Sequence, residues 1–222
     1  MKEPYASSGP RRPRGWTLLA CVAFLAAGPG TLLVLLAAPR SREKANALMR
    51  DLAALRVGQS GFEEAERVAA RHGGRPFDPS SPCTPERCEI VFWIENSLLS
   101  RLRLSRRTLF DAAIFVGEGK VRQVTFGLVA GLYDPEKFCG VCIEDFQVDP
   151  QDTSDYPPFS VSRRTSIDGR PERLTVRITD HASQEERASA YSLNLGCLSE
   201  LIGCKDAREL APSLWSAAVK DH

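Results

Sequence analysis

The stretch from Phe159 to Thr179, FSVSRRTSIDGRPERLTVRIT, carries the clearest indication of the fold. Apolar residues alternate with Ser, Thr and Arg in residues 159–166 and again in residues 173–179. Between the two runs lies Asp168-Gly169, a dipeptide that is typical of tight hairpin turns. Alternation of this kind places apolar side chains on one face of a sheet and polar side chains on the other. The stretch therefore predicts an antiparallel hairpin with one face toward solvent.

Further strands precede this hairpin. Residues 89–95, EIVFWIE, form a short run rich in β-branched and aromatic residues, which is typical of a buried strand. Residues 112–129 contain two similar runs separated by Gly117-Glu118-Gly119, and residues 142–148 alternate like another strand. Together with the hairpin, these runs predict an antiparallel sheet of about five strands.

Helical patterns flank the predicted sheet on both sides. Three leucines recur at helical spacing in residues 41–56, and a second helical pattern ends near Gly73. From Gln184 onward the chain returns to helical patterns. Helices, then an antiparallel sheet, then more helices indicate an α+β fold. We assign residues 39–74 to a helical stalk with the first domain helix, and residues 75–222 to the α+β domain.

The segment from Trp16 to Ala38 is an uncharged apolar run of 23 residues with arginines on both sides. A helix of this length spans roughly 34 Å, against about 30 Å of bilayer hydrocarbon. We therefore predict a transmembrane signal-anchor helix at residues 16–38, preceded by a disordered cytoplasmic tail at residues 1–15. A cleaved signal peptide is the alternative, but the apolar run is long for one and the residues before Pro39 form a poor cleavage site.

Composition excludes several classes of function. The chain has 29 basic and 28 acidic residues, so it has no overall field that would attract nucleic acid. It has three histidines and no nucleophile-elbow pattern, and we predict neither an enzyme nor a cofactor. The acidic residues between Glu144 and Asp155 lack the twelve-residue loop of a calcium site, so we expect Asp145 and its neighbours to be solvated and predict no metal.

Cysteine spacing indicates the compartment. One of the seven cysteines, Cys21, lies in the predicted span. The other six form three pairs that are close in sequence: Cys83 with Cys88, Cys139 with Cys142, and Cys197 with Cys204. Paired cysteines suit structural disulfides in an oxidising environment, although six cysteines allow 15 connectivities. Because four basic residues flank each side of the predicted span, charge does not orient it, and the cysteines favour an extracytoplasmic domain.

Two chemical alternatives use the same cysteines. The Cys139-Cys142 spacing is that of a thiol-disulfide oxidoreductase, but such thiols sit at a helix start, and here the following residues alternate like a strand. Four thiolates, from Cys83, Cys88, Cys139 and Cys142, would suit a zinc ion if the domain faced the cytoplasm. Both hypotheses stay open beside the structural one.

A basic cluster with interspersed leucines lies at residues 98–107, LLSRLRLSRR. Its four arginines, Arg101, Arg103, Arg106 and Arg107, would suit anionic lipid or a partner. The apolar stripe is short, so the sequence favours a solvated helix face instead.

The sequence thus predicts a single-pass membrane protein whose disulfide-stabilised extracytoplasmic domain binds or scaffolds a partner. A solvated sheet face and an open sheet edge are the usual places for such contacts. We therefore expect a protein partner at the 159–179 hairpin or at the edge of its sheet.

Overall fold

The structure is a computed structural model that describes residues 39–131, 139–149, 151, 155–165, 171–200 and 203–218. These residues belong to one unit that extends from Ala37 to His222. The predicted tail at residues 1–15, the predicted span at residues 16–38 and the predicted Asp168-Gly169 turn lie outside the described residues. Among the residues that are described, no helix is long and apolar enough to cross a membrane.

One seven-stranded sheet forms the centre of the domain, with strand order β1-β2-β3-β4-β5-β7-β6. The strands are β1 Arg75–Pro76, β2 Arg87–Glu95, β3 Thr108–Gly117, β4 Lys120–Ala130, β5 Cys139–Phe146, β6 Phe159–Thr165 and β7 Pro171–Thr179. The α+β class and the antiparallel pairing of residues 159–165 with residues 171–178 are confirmed. The strand count is higher than predicted, partly because β1 has only two residues and leaves no alternation to detect.

The β5–β7 pair is parallel, which the sequence does not predict. The hairpin of β6 and β7 is oriented so that β7 lies inside the sheet and β6 lies at its edge. The reason is hydrophobic burial: β7 carries Leu174, Val176 and Ile178, which are all fully buried. The core-facing residues of β6, by contrast, are only half-buried.

Five of the six described helices contribute buried residues to the hydrophobic cluster on one face of this sheet, and the exception is the short helix between β2 and β3. The helices are α1 (residues 39–54), α2 Phe62–His72, α3 Ser97–Arg101, α4 Gln184–Ala190, α5 Ala207–Leu210 and α6 Pro212–Ala218, with a 3-10 turn at Leu195–Leu198. A capping box starts α4, in which Ser183 and Glu186 bond each other's backbone N–H groups. A left-handed Gly73 ends α2.

A single hydrophobic cluster joins the helices to the sheet. Phe92, Phe110 and Phe126 form its centre on the sheet side, and α1 contributes the fully buried Leu48 and Leu52. The buried residues of α2, α4, α5 and α6 belong to the same cluster, so these helices share one face of the sheet. Residues 39–54, assigned to a stalk from the sequence, are therefore part of the domain core.

Two disulfides close short loops in the domain. Cys83 is bonded to Cys88, with Cα atoms 4.5 Å apart, and Cys197 is bonded to Cys204, with Cα atoms 5.2 Å apart. The first joins the proline-rich loop before β2 to the start of that strand. The second closes the segment between the 3-10 turn and α5.

The predicted bond between Cys139 and Cys142 is corrected by the structure. Both residues lie on β5, where the backbone is extended, and Cys142 is a free thiol. Two residues three positions apart along a strand have Cα atoms about 10 Å apart, whereas a disulfide needs less than about 7 Å. A strand-like alternation after Cys142 was visible in the sequence, but not that the strand begins as early as Cys139.

Candidate partner-binding surface

The two edges of the sheet differ in how far they are protected. At one edge, β1 has two residues, one of which is Pro76, and such short, proline-bearing strands do not pair further. At the other edge, β6 has seven residues. No strand of the described chain pairs with the outer side of β6, so this is the open edge of the sheet.

The register shows which backbone groups of β6 face outward. The Thr179 N–H donates to the Pro158 carbonyl (3.0 Å), which makes these two residues a hydrogen-bonded pair. Hydrogen-bonded and non-hydrogen-bonded pairs alternate along an antiparallel ladder. Ser160, Ser162 and Arg164 therefore direct their N–H and C=O groups toward β7. The N–H and C=O groups of the intervening residues point away from the sheet. These outward residues are Phe159, Val161 and Arg163.

Side-chain packing holds β6 in place although its outer side is open. Phe159 and Val161 pack against the hydrophobic cluster beneath the sheet. The Arg163 guanidinium lies over the ring of Trp215 in α6, 5.5 Å from its centroid, at a distance that suits a cation-π interaction. The outward backbone groups are thus presented by a strand whose side chains are already ordered.

The solvent-facing side of the hairpin is polar and carries ion pairs. Arg164 lies directly opposite Arg173, an arrangement of like charges that weakens a cross-strand pair. Arg164 also lies 3.5 Å from Glu172, and Arg177 forms an ion pair with Glu144 at 2.9 Å. Both glutamates on this side are therefore engaged by arginines of the hairpin.

A row of six residues crosses the same face of the sheet, one on each strand from β2 to β6. It consists of Trp93, Asp111, Gly127, Cys142, Thr175 and Ser162. Trp93 is 62% exposed. A Cβ atom on Gly127 would lie 2.8 Å from the Val141 carbonyl oxygen and 3.2 Å from Asp111 Oδ1, so glycine leaves room for that carboxylate.

The environment of Cys142 does not favour a reactive thiol. Burial raises its pKa, and the carboxylates of Glu144 and Asp111 raise it further. A redox-active cysteine needs the opposite shift, because the thiolate is the nucleophile. Together with the extended backbone of β5, this removes the geometric basis for an oxidoreductase built on Cys139 and Cys142.

The zinc hypothesis fails on distance. The row through Cys142 reaches β2 at Trp93, which is five residues from Cys88. The two cysteines are thus separated by about 14 Å across three strand spacings and about 17 Å along the strand direction. Cys88 is bonded to Cys83 instead. Within the described ranges, no three His, Cys, Asp or Glu residues are grouped closely enough to hold a metal ion.

A buried ionic network on the helical side was not found from the sequence. Asp145, expected to be solvated, is fully buried and forms an ion pair with Arg187. The Tyr191 hydroxyl donates to Asp145 Oδ2 (3.2 Å), and Arg187 Nη2 donates to the Thr179 carbonyl (3.0 Å). The only signal in the sequence was the i, i+4 spacing of Arg187 and Tyr191, which does not identify the strand residue they contact.

Burial dominates the electrostatics of this network. It raises the pKa of Asp145 to about 6, against the opposing effect of Arg187, and raises the pKa of Tyr191 well above its ordinary value. Asp145 Oδ1 has no hydrogen-bond partner among the described residues. The carboxylate is fully buried, so it cannot contact a ligand at the surface. Its protonation affects only the stability of the fold.

Two concave regions lie at the end of the sheet that contains the β3–β4 turn. An open groove of about 890 Å³ runs beside the Cys83–Cys88 disulfide, with Phe77 (62% exposed) and Phe115 among its lining residues. A smaller recess of about 260 Å³ is lined by polar groups that include Gln147, Asp180 and Arg187. Neither brings together groups with the geometry of a catalytic site, so β6 is the stronger candidate.

No family model, no curated protein and no solved structure matches the chain. The function therefore has to be inferred from the geometry of its own surface.

Proposed function

We propose that the chain is a single-pass membrane protein whose extracytoplasmic domain binds an extended segment of a protein partner along β6. The observation that carries the proposal is the open edge. Two outward-facing residues, Phe159 and Val161, direct their N–H and C=O groups away from β7 on a strand that is held by core packing, and no described strand pairs with them. Addition of a strand to such an edge is a recurrent mode of peptide recognition.

The proposed location is supported by the predicted span and by the disulfides. An apolar segment of the length of residues 16–38 suits one bilayer crossing. Two disulfides in a small domain suit an oxidising compartment. These two features support a partner outside the cytoplasm.

Binding is proposed in preference to catalysis because the two titratable groups that the fold perturbs most clearly on the sheet are buried or unreactive. Asp145 is enclosed by the core, and the pKa of the Cys142 thiol is raised. Neither group has the exposure and reactivity that a general base or a nucleophile requires.

A single proline substitution tests this proposal. Val161→Pro in the full chain removes one outward N–H group without removing a β6–β7 hydrogen bond, because the Val161 amide faces away from β7. A photo-crosslinking amino acid in place of the exposed Ser162 reports the partner in native membranes. We expect a protein adduct that falls at least tenfold in Val161→Pro, since an added strand loses a hydrogen bond and meets the proline ring.

Val161→Ala is the matched control, because it shortens the same side chain and keeps the N–H group. It should retain the adduct, and both variants should keep a cooperative thermal transition. An adduct that persists in Val161→Pro, or no protein adduct at position 162 in the otherwise wild-type chain, would rule out binding at this edge. An adduct with the mass of two chains would identify the partner as a second copy.

A further inference from the structure

The segment that follows β2 exposes apolar and basic side chains together. Leu99 is buried, but Leu102 and Leu104, which follow it, are 50% and 44% exposed. Leu102 lies between Arg101 and Arg103, and Leu104 follows Arg103, so the loop from residue 97 to residue 107 has a charged and apolar tip. Two large aliphatic side chains in solvent beside four arginines are unusual for a merely solvated helix face.

The loop that carries the exposed leucines has a defined backbone structure. The Leu104 N–H donates to the Leu99 carbonyl (2.9 Å) and the Arg103 N–H to the Ser100 carbonyl (3.0 Å), which is the Schellman arrangement at the end of α3. It requires a left-handed residue, and Arg103 takes this role with φ 56°. A glycine would be less strained here, so an arginine at this position suggests that its charge is used.

Asn96 closes the base of the loop. Its Nδ2 group donates to the Arg106 carbonyl (2.8 Å), and its Oδ1 atom accepts from the Thr108 N–H (2.8 Å). Asn96 is buried, and its N–H donates to the Thr108 carbonyl (3.1 Å). The loop is therefore tied to the ends of β2 and β3.

This loop lies at the end of the domain where the described chain begins. The Ser41 hydroxyl, in the first turn of α1, donates to the carbonyl of Glu95, the last residue of β2 (3.0 Å). Residue 41 follows the predicted span at residues 16–38 by three positions. The other end of α1 leads to Gly58, whose N–H donates to the Val121 carbonyl at the far end of the sheet. The loop thus lies beside the residues that are closest in sequence to the predicted span.

Further positive charge lies at the same end of the sheet. Glu95 belongs to a row across the sheet that continues through Leu109, Val129 and Gly140 to Arg173 and Arg164. Glu95 itself is neutralised by Arg107, which donates to both of its carboxylate oxygens (2.6 and 3.0 Å). Arg164 and Arg173 thus lie, among the described residues, at the same end of the sheet as the loop.

We infer that the loop of residues 97–107 docks on the bilayer that holds the predicted anchor, and this inference rests on the proposed membrane location. Leu102 and Leu104 enter the boundary between headgroups and acyl chains, and the neighbouring Arg101 and Arg103 contact anionic phospholipid headgroups. Each arginine near an anionic surface is worth about a fivefold gain in affinity, and the effect is screened by salt. The docked loop holds the domain upright on the membrane, with the Phe77 groove directed away from it.

Lipid crosslinking in reconstituted full chain tests the inference. The chain is placed in vesicles of phosphatidylcholine with 30% phosphatidylglycerol, with a photo-crosslinking amino acid in place of Leu102. We expect a lipid adduct there and none when the same group replaces Phe77, because Phe77 lies beside Glu89, about 20 Å along β2 from Glu95. The adduct should fall at least fivefold in pure phosphatidylcholine.

Arg103→Gly separates docking from folding. Glycine relieves the left-handed backbone at this position, so the unfolding temperature should not fall, while the loss of one charge should reduce the lipid adduct about fivefold at low salt. Arg103→Lys keeps the positive charge, so this variant should retain most of the lipid adduct at position 102.

The outcomes distinguish this inference from the proposed function. A chain that does not float with the vesicles would overturn both the anchor and the docking. A chain that floats but gives no lipid adduct at position 102, or only a protein adduct, would overturn the docking and leave the anchor standing. The β6 proposal is tested independently, by the adduct at Ser162.

Discussion

Asp145 illustrates how a single buried charge affects this domain. It lies on β5 in strict alternation with Val141 and Ile143, at a position where the strand pattern places apolar residues. Arg187 and Tyr191 neutralise part of the cost, but Oδ1 lacks a partner among the described residues. A buried ion pair of this kind is weak evidence for net stabilisation. Its effect depends on whether the carboxylate is ionised.

Asp145 should make the domain less stable as pH rises. The folded state keeps the proton up to a pKa of about 6, whereas the unfolded chain releases it near 3.8. The folded state therefore binds more protons between these values, and stability falls as pH rises through this window, by about 3 kcal/mol in total. Between pH 4 and pH 7, the free energy of unfolding of the wild type, measured in urea relative to that of Asp145→Asn, should fall by about 2 kcal/mol.

Glu185→Gln, which removes an exposed carboxylate from α4, is the control and should show no such shift. If the wild-type protein instead gained stability relative to Asp145→Asn as pH rises, the ion pair with Arg187 would outweigh burial and the carboxylate would be ionised throughout.

At the scale of elements, the connections between strands differ in how much ordered structure they contain. The β2–β3 connection contains a five-residue helix, a left-handed Arg103 and a buried asparagine, where a short turn would suffice to join two antiparallel strands. The β3–β4 connection, by contrast, is a tight turn at Glu118-Gly119. Extra structure in one connection is a hint of function, because loops carry binding residues more often than strands do.

Loss of the Asn96 side chain should weaken the domain and loosen this connection. Asn96→Ala leaves the Thr108 N–H and the Arg106 carbonyl without their partner, and Thr108 is fully buried. Unsatisfied buried groups cost about 1–3 kcal/mol each, so we expect a loss of about 2 kcal/mol in urea unfolding. Ser97→Ala, at the exposed neighbouring position, should change stability by less than about 0.5 kcal/mol. Equal stability of the two variants would show that Asn96 does not hold the loop.

At the scale of the whole molecule, the two ends of the sheet have different characters. One end carries the arginine and leucine loop beside the start of α1, and the other carries the disulfide-linked loop with Phe77 and the polar recess. The open edge at β6 runs between them. A domain with these features suits attachment to a membrane at one end and contact with a partner along its side.

Thiol mapping in intact cells tests the organisation of the whole domain. With a membrane-permeant blocking reagent and no reductant, mass spectrometry should find Cys83 bonded to Cys88 and Cys197 bonded to Cys204. Cys142 should be unbonded and react slowly, because it is half-buried and its pKa is raised. Free thiols at all four bonded positions would place the domain in a reducing compartment and contradict the proposed topology.

The candidate surface was only partly predictable. The 159–179 hairpin could be located from alternation alone, because the period of two is a local property of the chain. That β6 is the open edge depends on the parallel pairing of β5 with β7, which no local pattern specifies. The exposure of Leu102 and Leu104 was also hidden, because the spacing of Leu98 and Leu102 is compatible with a helix face in the core.

The sequence by itself predicted the α+β class, the 159–179 hairpin, three local cysteine pairs of which two are bonded, and an apolar anchor, because each prediction follows from periodicity, close spacing or length. The tertiary structure alone decided that β7 is central, that Cys139 and Cys142 cannot bond, that Asp145 is buried and that the arginine loop lies beside the start of α1. Each of these depends on which distant strands and helices come into contact, and burial and distance between such elements are properties of the packed chain.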